Sequence, residues 1–82
     1  MQLTTIDSTM LYAVGYDEAS QTLEVVFRTG GIYRYAGVPY EVYQALLVAP
    51  SAGRYMQDHV IGTYPFQRLH RLRLGRSRRR RV

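Results

Sequence analysis

Hydrophobic and polar positions alternate most cleanly over residues 22–28. Leu23, Val25 and Phe27 share one face there, and Glu24, Val26 and Arg28 share the other. A period of two predicts a β-strand with one face in a core. Residues 10–16, rich in strand formers, predict an earlier strand across the hairpin-length polar connection Asp17-Glu18-Ala19-Ser20-Gln21. Thr29-Gly30-Gly31 predicts a second tight hairpin, its glycines supplying positive φ angles. Residues 32–36 predict a third strand, with Tyr33 and Tyr35 on one face and Ile32, Arg34 and Ala36 on the other.

The period then changes. Gly37-Val38-Pro39 ends the sheet, with Pro39 expected at the first helical position and Glu41 at the positive end of the helix dipole. Val42, Leu46 and Ala49, flanked by Tyr43 and Leu47, make a buried stripe at helical spacing, and Pro50 stops that helix. Ser51 is the expected N-cap of a second helix over about residues 52–59, with Tyr55, Met56, His59 and Val60 as packing positions and Gly62 at its stop. Tyr64-Pro65-Phe66 reads as an extended aromatic clamp. Residues 68–74 fit a helix edge and a strand equally. The expected fold is α+β: a three-stranded antiparallel β-meander followed by two short helices and a basic, flexible C-terminal tail. Its divisions are an N-terminal arm (1–7), a folded domain (8–66) and the tail (67–82).

Size sharpens this reading. Eighty-two residues make one domain near the lower limit of independent folding, and the absence of cysteine excludes disulfides and thiolate zinc sites. The core must rest on packing or on association with another chain. Neither a secretory signal nor an apolar run of the roughly 20 residues a membrane span needs is visible. A cytoplasmic protein is expected.

The net charge of +5 conceals a split. Residues 1–66 carry three arginines against six carboxylates, while residues 67–82 carry eight arginines and no acid. Every basic residue is arginine, whose planar fork suits bidentate phosphate contacts.

Catalytic chemistry finds little purchase. His59 and His70 are eleven residues apart with no cysteine near, which matches no metal-ligand spacing. Ser51 has no triad partners, Asp17 and Glu18 are turn residues, and Gly30-Gly31 joins two strands where a phosphate loop would join a strand to a helix. No enzyme, cofactor or metal is expected.

The tail, Arg68, Arg71, Arg73, Arg76, Arg78, Arg79, Arg80 and Arg81, has three readings: a nucleic-acid-binding arm, a segment for acidic proteins or lipid headgroups, or a solvated end without a role. Tyr33 and Tyr35 are either a stacking platform for exposed bases or part of the core margin, and a small meander with one covered face favours the core. Arg34, with Arg28, is expected on the opposite face, where cross-strand pairing with Glu24 would explain the charges.

Several stretches together resemble the KTSC domain. They are Val14-Gly15-Tyr16-Asp17, Thr22-Leu23-Glu24-Val25-x-Phe27-x-x-Gly30, Tyr33-Arg34-Tyr35, Val38-Pro39, Val42-Tyr43-x-x-Leu46, Ala49-x-Ser51-x-Gly53-x-Tyr55 and Tyr64-Pro65. The resemblance covers roughly residues 8–69. That domain ends some lysyl-tRNA synthetases and also stands alone in bacterial proteins, and RNA binding has been suggested for it largely from that fusion. Tyr33 and Tyr35 are its tyrosine pair, and Gly53 and Tyr55 fall in its Gly-x-Tyr-Phe-Asn motif, where Met56 and Gln57 depart from the pattern. Ile61 and Thr63 stand where relatives often carry lysine, so any RNA contacts made there are lost unless the arginine tail replaces them. The expected function is therefore non-enzymatic nucleic-acid binding, RNA before DNA, through the arginine arm. Tyr33, Arg34, Tyr35 and Arg54 are secondary candidates. The alternative is a protein-interaction or dimerisation module.

Overall fold

The computed structural model describes residues 2–69. Within them the chain runs β1 (Leu3–Thr5), β2 (Leu11–Asp17), β3 (Thr22–Phe27), β4 (Ile32–Tyr35), α1 (Tyr40–Val48), α2 (Ala52–Tyr55) and β5 (Phe66–Leu69). A π-helical turn over Met56–Val60 continues α2 without a break. The strands form one five-stranded sheet in the order β1-β2-β3-β4-β5, each neighbouring pair antiparallel.

The expected three-stranded meander is thus the centre of a wider sheet. β1 lies in the stretch read as an arm, and β5 crosses the boundary drawn at residue 66. Both were hidden for a physical reason. All three residues of β1 are exposed, so burial imposes no alternation on them, and β5 buries none of its four residues fully.

The register fixes two faces. Leu11, Val14, Tyr16, Leu23, Val25, Phe27, Tyr33 and Tyr35 point one way, and the helices supply Val38, Leu46, Ala52, Met56 and Val60 to the same core. Leu11 and Val14 are an odd number of residues apart, yet both face inward. A β-bulge at Tyr12 reconciles them, because Leu11 pairs with Phe27 while Ala13 pairs with Val26. The expected core residues Leu23, Val25 and Leu46 are fully buried, and Phe27 and Val42 pack at the margin. Val26 faces the other way and is nonetheless only 3% exposed, lying on the central strand between Ala13 and Ile32.

Local chemistry sets the turns. Ser51 caps α2, its Oγ accepting from the Arg54 N–H at 3.2 Å. Helix α1 stops before Pro50 with Ala49 extended at ψ 139°, as the residue preceding a proline must be. Pro39 is the N-cap of α1 and Tyr40 the first helical residue, one position later than expected. In the β3–β4 hairpin only Gly30 takes a positive φ, at 98°. Gly31 is there for space: a Cβ on it would lie 3.2 Å from the Tyr33 ring.

Candidate nucleic-acid interface

Alternation along β4 turns Tyr33 and Tyr35 towards the helices, and the β4–β5 register sets Arg68 opposite Tyr33 and Phe66 opposite Tyr35. The four side chains meet. Phe66 lies 5.3 Å from the Tyr33 ring and 5.8 Å from that of Tyr35, and the Arg68 guanidinium sits 6.0 Å over Tyr33. Phe27 abuts the other side of Tyr33 edge-on at 5.3 Å. Exposure divides the group sharply. Tyr35 is 3% exposed and Tyr33 half-buried, while Phe66, at the sheet's edge, is 58% exposed.

The tyrosine pair thus packs at the core and its margin, and the exposed ring belongs to a residue that sequence reasoning did not single out. The signal was present in Tyr64-Pro65-Phe66, read as a clamp. What the pattern lacked was the strand that turns Phe66 beside Tyr33. Burial raises the Tyr35 phenol above its ordinary pKa, with a smaller push from Tyr33.

The remaining candidates are scattered. Arg34 lies on the opposite face, its Nε 3.6 Å from Glu24 Oε1, which is the cross-strand pair expected there. Arg54 is exposed on α2, 3.4 Å from Asp58. Arg68 is exposed, and no carboxylate among the described residues pairs with it. Arg71, Arg73, Arg76, Arg78, Arg79, Arg80 and Arg81 lie outside the described residues, as does His70. A groove of about 540 Å³ beside the cluster is lined by residues that include Asp17, Ser20, Thr22, Arg34, Phe66 and Gln67.

A second aromatic group secures the start of α1. The Tyr16 hydroxyl donates to the Val38 carbonyl, and its ring stacks on Tyr43 at 5.1 Å. The Val38 N–H donates to the Gln21 carbonyl at 2.9 Å, so this fully buried residue has both backbone groups satisfied. His59 is exposed and packs its ring 4.5 Å from Tyr55. Among the described residues no group of three potential metal ligands converges, and no helix is long and apolar enough to cross a membrane.

A five-stranded antiparallel sheet with helices on one face defines a small α+β domain. The sequence profile of the KTSC domain matches residues 7–64, and the chain belongs to that family. It is similar to an uncharacterized protein of Stutzerimonas stutzeri, 49% identical over 58 residues that make 71% of this chain and 82% of the relative. It also resembles a segment of a Nostoc sp. lysine–tRNA ligase, 33% identical over 63 residues, 77% of this chain but only 11% of the ligase. The crystal structure of a KTSC domain protein from Yersinia pestis superposes with a TM-score of 0.82 at 30% identity, covering 84% of this chain and 97% of that one.

Proposed function

We propose that the chain is a non-enzymatic, nucleic-acid-binding domain of the cytoplasm, in which an arginine arm supplies most of the affinity and the sheet positions that arm. The observation that carries this reading is the placement of Arg68. The first of eight arginines lies on the edge strand over the Tyr33 ring without an acidic partner among the described residues, and the sequence runs on from there into the other seven. Arginine on an aromatic face presents its charge outward while its flat surface is covered, and phosphate is the ligand such an array fits. The part of the chain before the run is mildly acidic, so attraction to a polyanion must come from the run itself. The segment shared with a lysine–tRNA ligase, whose name makes tRNA its substrate, favours RNA over DNA.

The test is binding of the purified full chain to labelled single-stranded RNA at low salt, beside a chain lacking residues 76–82. Binding that is lost or strongly weakened by the deletion supports the arm. A full chain that binds neither RNA nor DNA at low salt removes this reading and leaves a protein-interaction module.

A further inference from the structure

Phe66 is an apolar ring left more than half exposed, and its neighbours fix how it can be used. It is not a loose side chain, because β5 is held in the sheet by its ladder with β4, and the Pro65 carbonyl accepts from Ala36 N–H at 2.9 Å just before it. Tyr33 and Tyr35 pack on its ring at 5.3 and 5.8 Å, tilted by 42° and 45°, so the orientation is set before any ligand arrives. On one side of it the groove carries Ser20, Thr22 and Gln67, neutral groups able to donate and accept hydrogen bonds, together with Asp17, which accepts from the Ser20 hydroxyl at 2.8 Å, and Arg34, which is paired with Glu24. On the other side lies Arg68 over Tyr33.

We infer that Phe66, packed against Tyr33 and flanked by Arg68, is a stacking site for one unpaired nucleobase of a single strand. A flat apolar ring at a sheet edge, with a cation that has no acidic partner among the described residues on one side and a polar hydrogen-bonding groove on the other, matches the parts of a nucleotide. The ring takes the base, the guanidinium the adjacent phosphate, and the groove the base edge. In the groove Arg34 is already paired with Glu24, while Asp17 disfavours a phosphate and suits an exocyclic amino group. The inference rests on the nucleic-acid reading above and adds to it a preference that phosphate contacts alone do not give, for single strands over duplex. Bases inside a duplex are already stacked and cannot reach the ring.

The experiment compares the full chain with Phe66→Leu, which keeps the apolar bulk of an exposed position and so leaves folding intact, as thermal melting checks. Three probes are titrated at one salt concentration: a single-stranded oligoadenylate, the same backbone with abasic sites at equal length and phosphate count, and a duplex of the same length. The native chain is expected to bind the oligoadenylate roughly tenfold more tightly than the abasic strand, the scale of one stacked base. Phe66→Leu is expected to lose that factor on oligoadenylate and to lose nothing on the abasic strand or the duplex. DNA probes with the same bases should behave alike, because stacking does not read the sugar. If the native chain binds normal and abasic strands equally, or if Phe66→Leu binds oligoadenylate as tightly as the native chain, the stacking site is overturned while the arginine arm stands. If the native chain binds none of the probes, both readings fall together.

Discussion

Gly53 packs against Met10 so closely that a Cβ on the glycine would lie 3.0 Å from the Met10 Cβ. The methionine cannot step aside. Its N–H is held by Ser8 Oγ at 3.1 Å, and its carbonyl accepts from the Arg28 N–H at 3.0 Å. This contact gives the glycine of the family's Gly-x-Tyr motif a structural reason: the start of α2 must lie almost on the chain that enters β2. Gly53→Ala gains about 1 kcal/mol of helix propensity but costs about 1–3 kcal/mol in overpacking against a fixed neighbour. A net loss of about 1 kcal/mol is expected, read as a fall of roughly 4–8 °C in Tm for a domain of this size. An alanine variant that melts with or above the parent would show that the backbone yields.

Adjacent residues on α1 separate its two faces. Leu46 is fully buried in the core and Leu47 is 40% exposed. Leu46→Ala should cost about 2–5 kcal/mol, a large share of the stability of so small a domain. Leu47→Ala should cost well under half as much, because much of its surface is already in water. Chemical denaturation of the two variants side by side checks the assignment, and equal losses would mean that the helix is rotated from the position described.

Much of this architecture was legible in the sequence where one face of an element is buried and the other wet. Leu23-x-Val25-x-Phe27 announced its strand and its inward face. Ser51 and Pro50 announced a cap and a stop because each acts on its own backbone neighbours. Legibility failed where tertiary context decides. Leu3-Thr4-Thr5 is a strand only because β2 offers it an edge, and Phe66-Gln67-Arg68-Leu69 merged with the arginine run that follows. The candidate site suffered most from this. Its exposed ring, Phe66, joins Tyr33 and Tyr35 only through the β4–β5 register, which the residues between them do not encode. The burial of Val26 on the face away from the helices was equally invisible, since it depends on the flanking strands.

Alkaline pH should loosen the anchor at the start of α1. The Tyr16 phenol donates to Val38, and its pKa is raised above the ordinary value of 10.0, first by burial and then by the negative charges of Glu18, Glu41 and Asp17. The sign follows from linkage: the folded state holds this proton more tightly than the unfolded state. The resulting stability is complete below pH 10 and is lost as the pH rises through the folded pKa. Burial followed by Tyr33 raises the pKa of Tyr35 in the same direction, so both phenols contribute. Melting the native chain and Tyr16→Phe from pH 8 to 11 is the measurement. Tyr16→Phe should be less stable near neutrality, where it lacks the hydrogen bond, and should lose less on going alkaline. Parallel curves for the two proteins would mean that Tyr16 does not titrate with folding.

The arginine arm makes its own quantitative claim about salt. Each phosphate neutralised releases condensed counterions, so log affinity falls linearly with log salt by about 0.7 per contact on single strands and about 0.9 on duplex DNA. If about four of the eight arginines engage at once, the slope on single-stranded RNA should be roughly −3. Removing residues 76–82 takes away five of those arginines and should abolish most of the slope. The melting temperature should hold, because the buried core is built from residues between Leu11 and Val60. Phe66→Leu, in contrast, should lower affinity at every salt concentration and leave the slope as it was, since stacking releases no ions. The two variants thus separate charge from stacking in one titration series. A truncated chain with the native slope would take the arm out of the mechanism, and a Phe66→Leu chain with a flattened slope would mean that the ring acts by positioning Arg68.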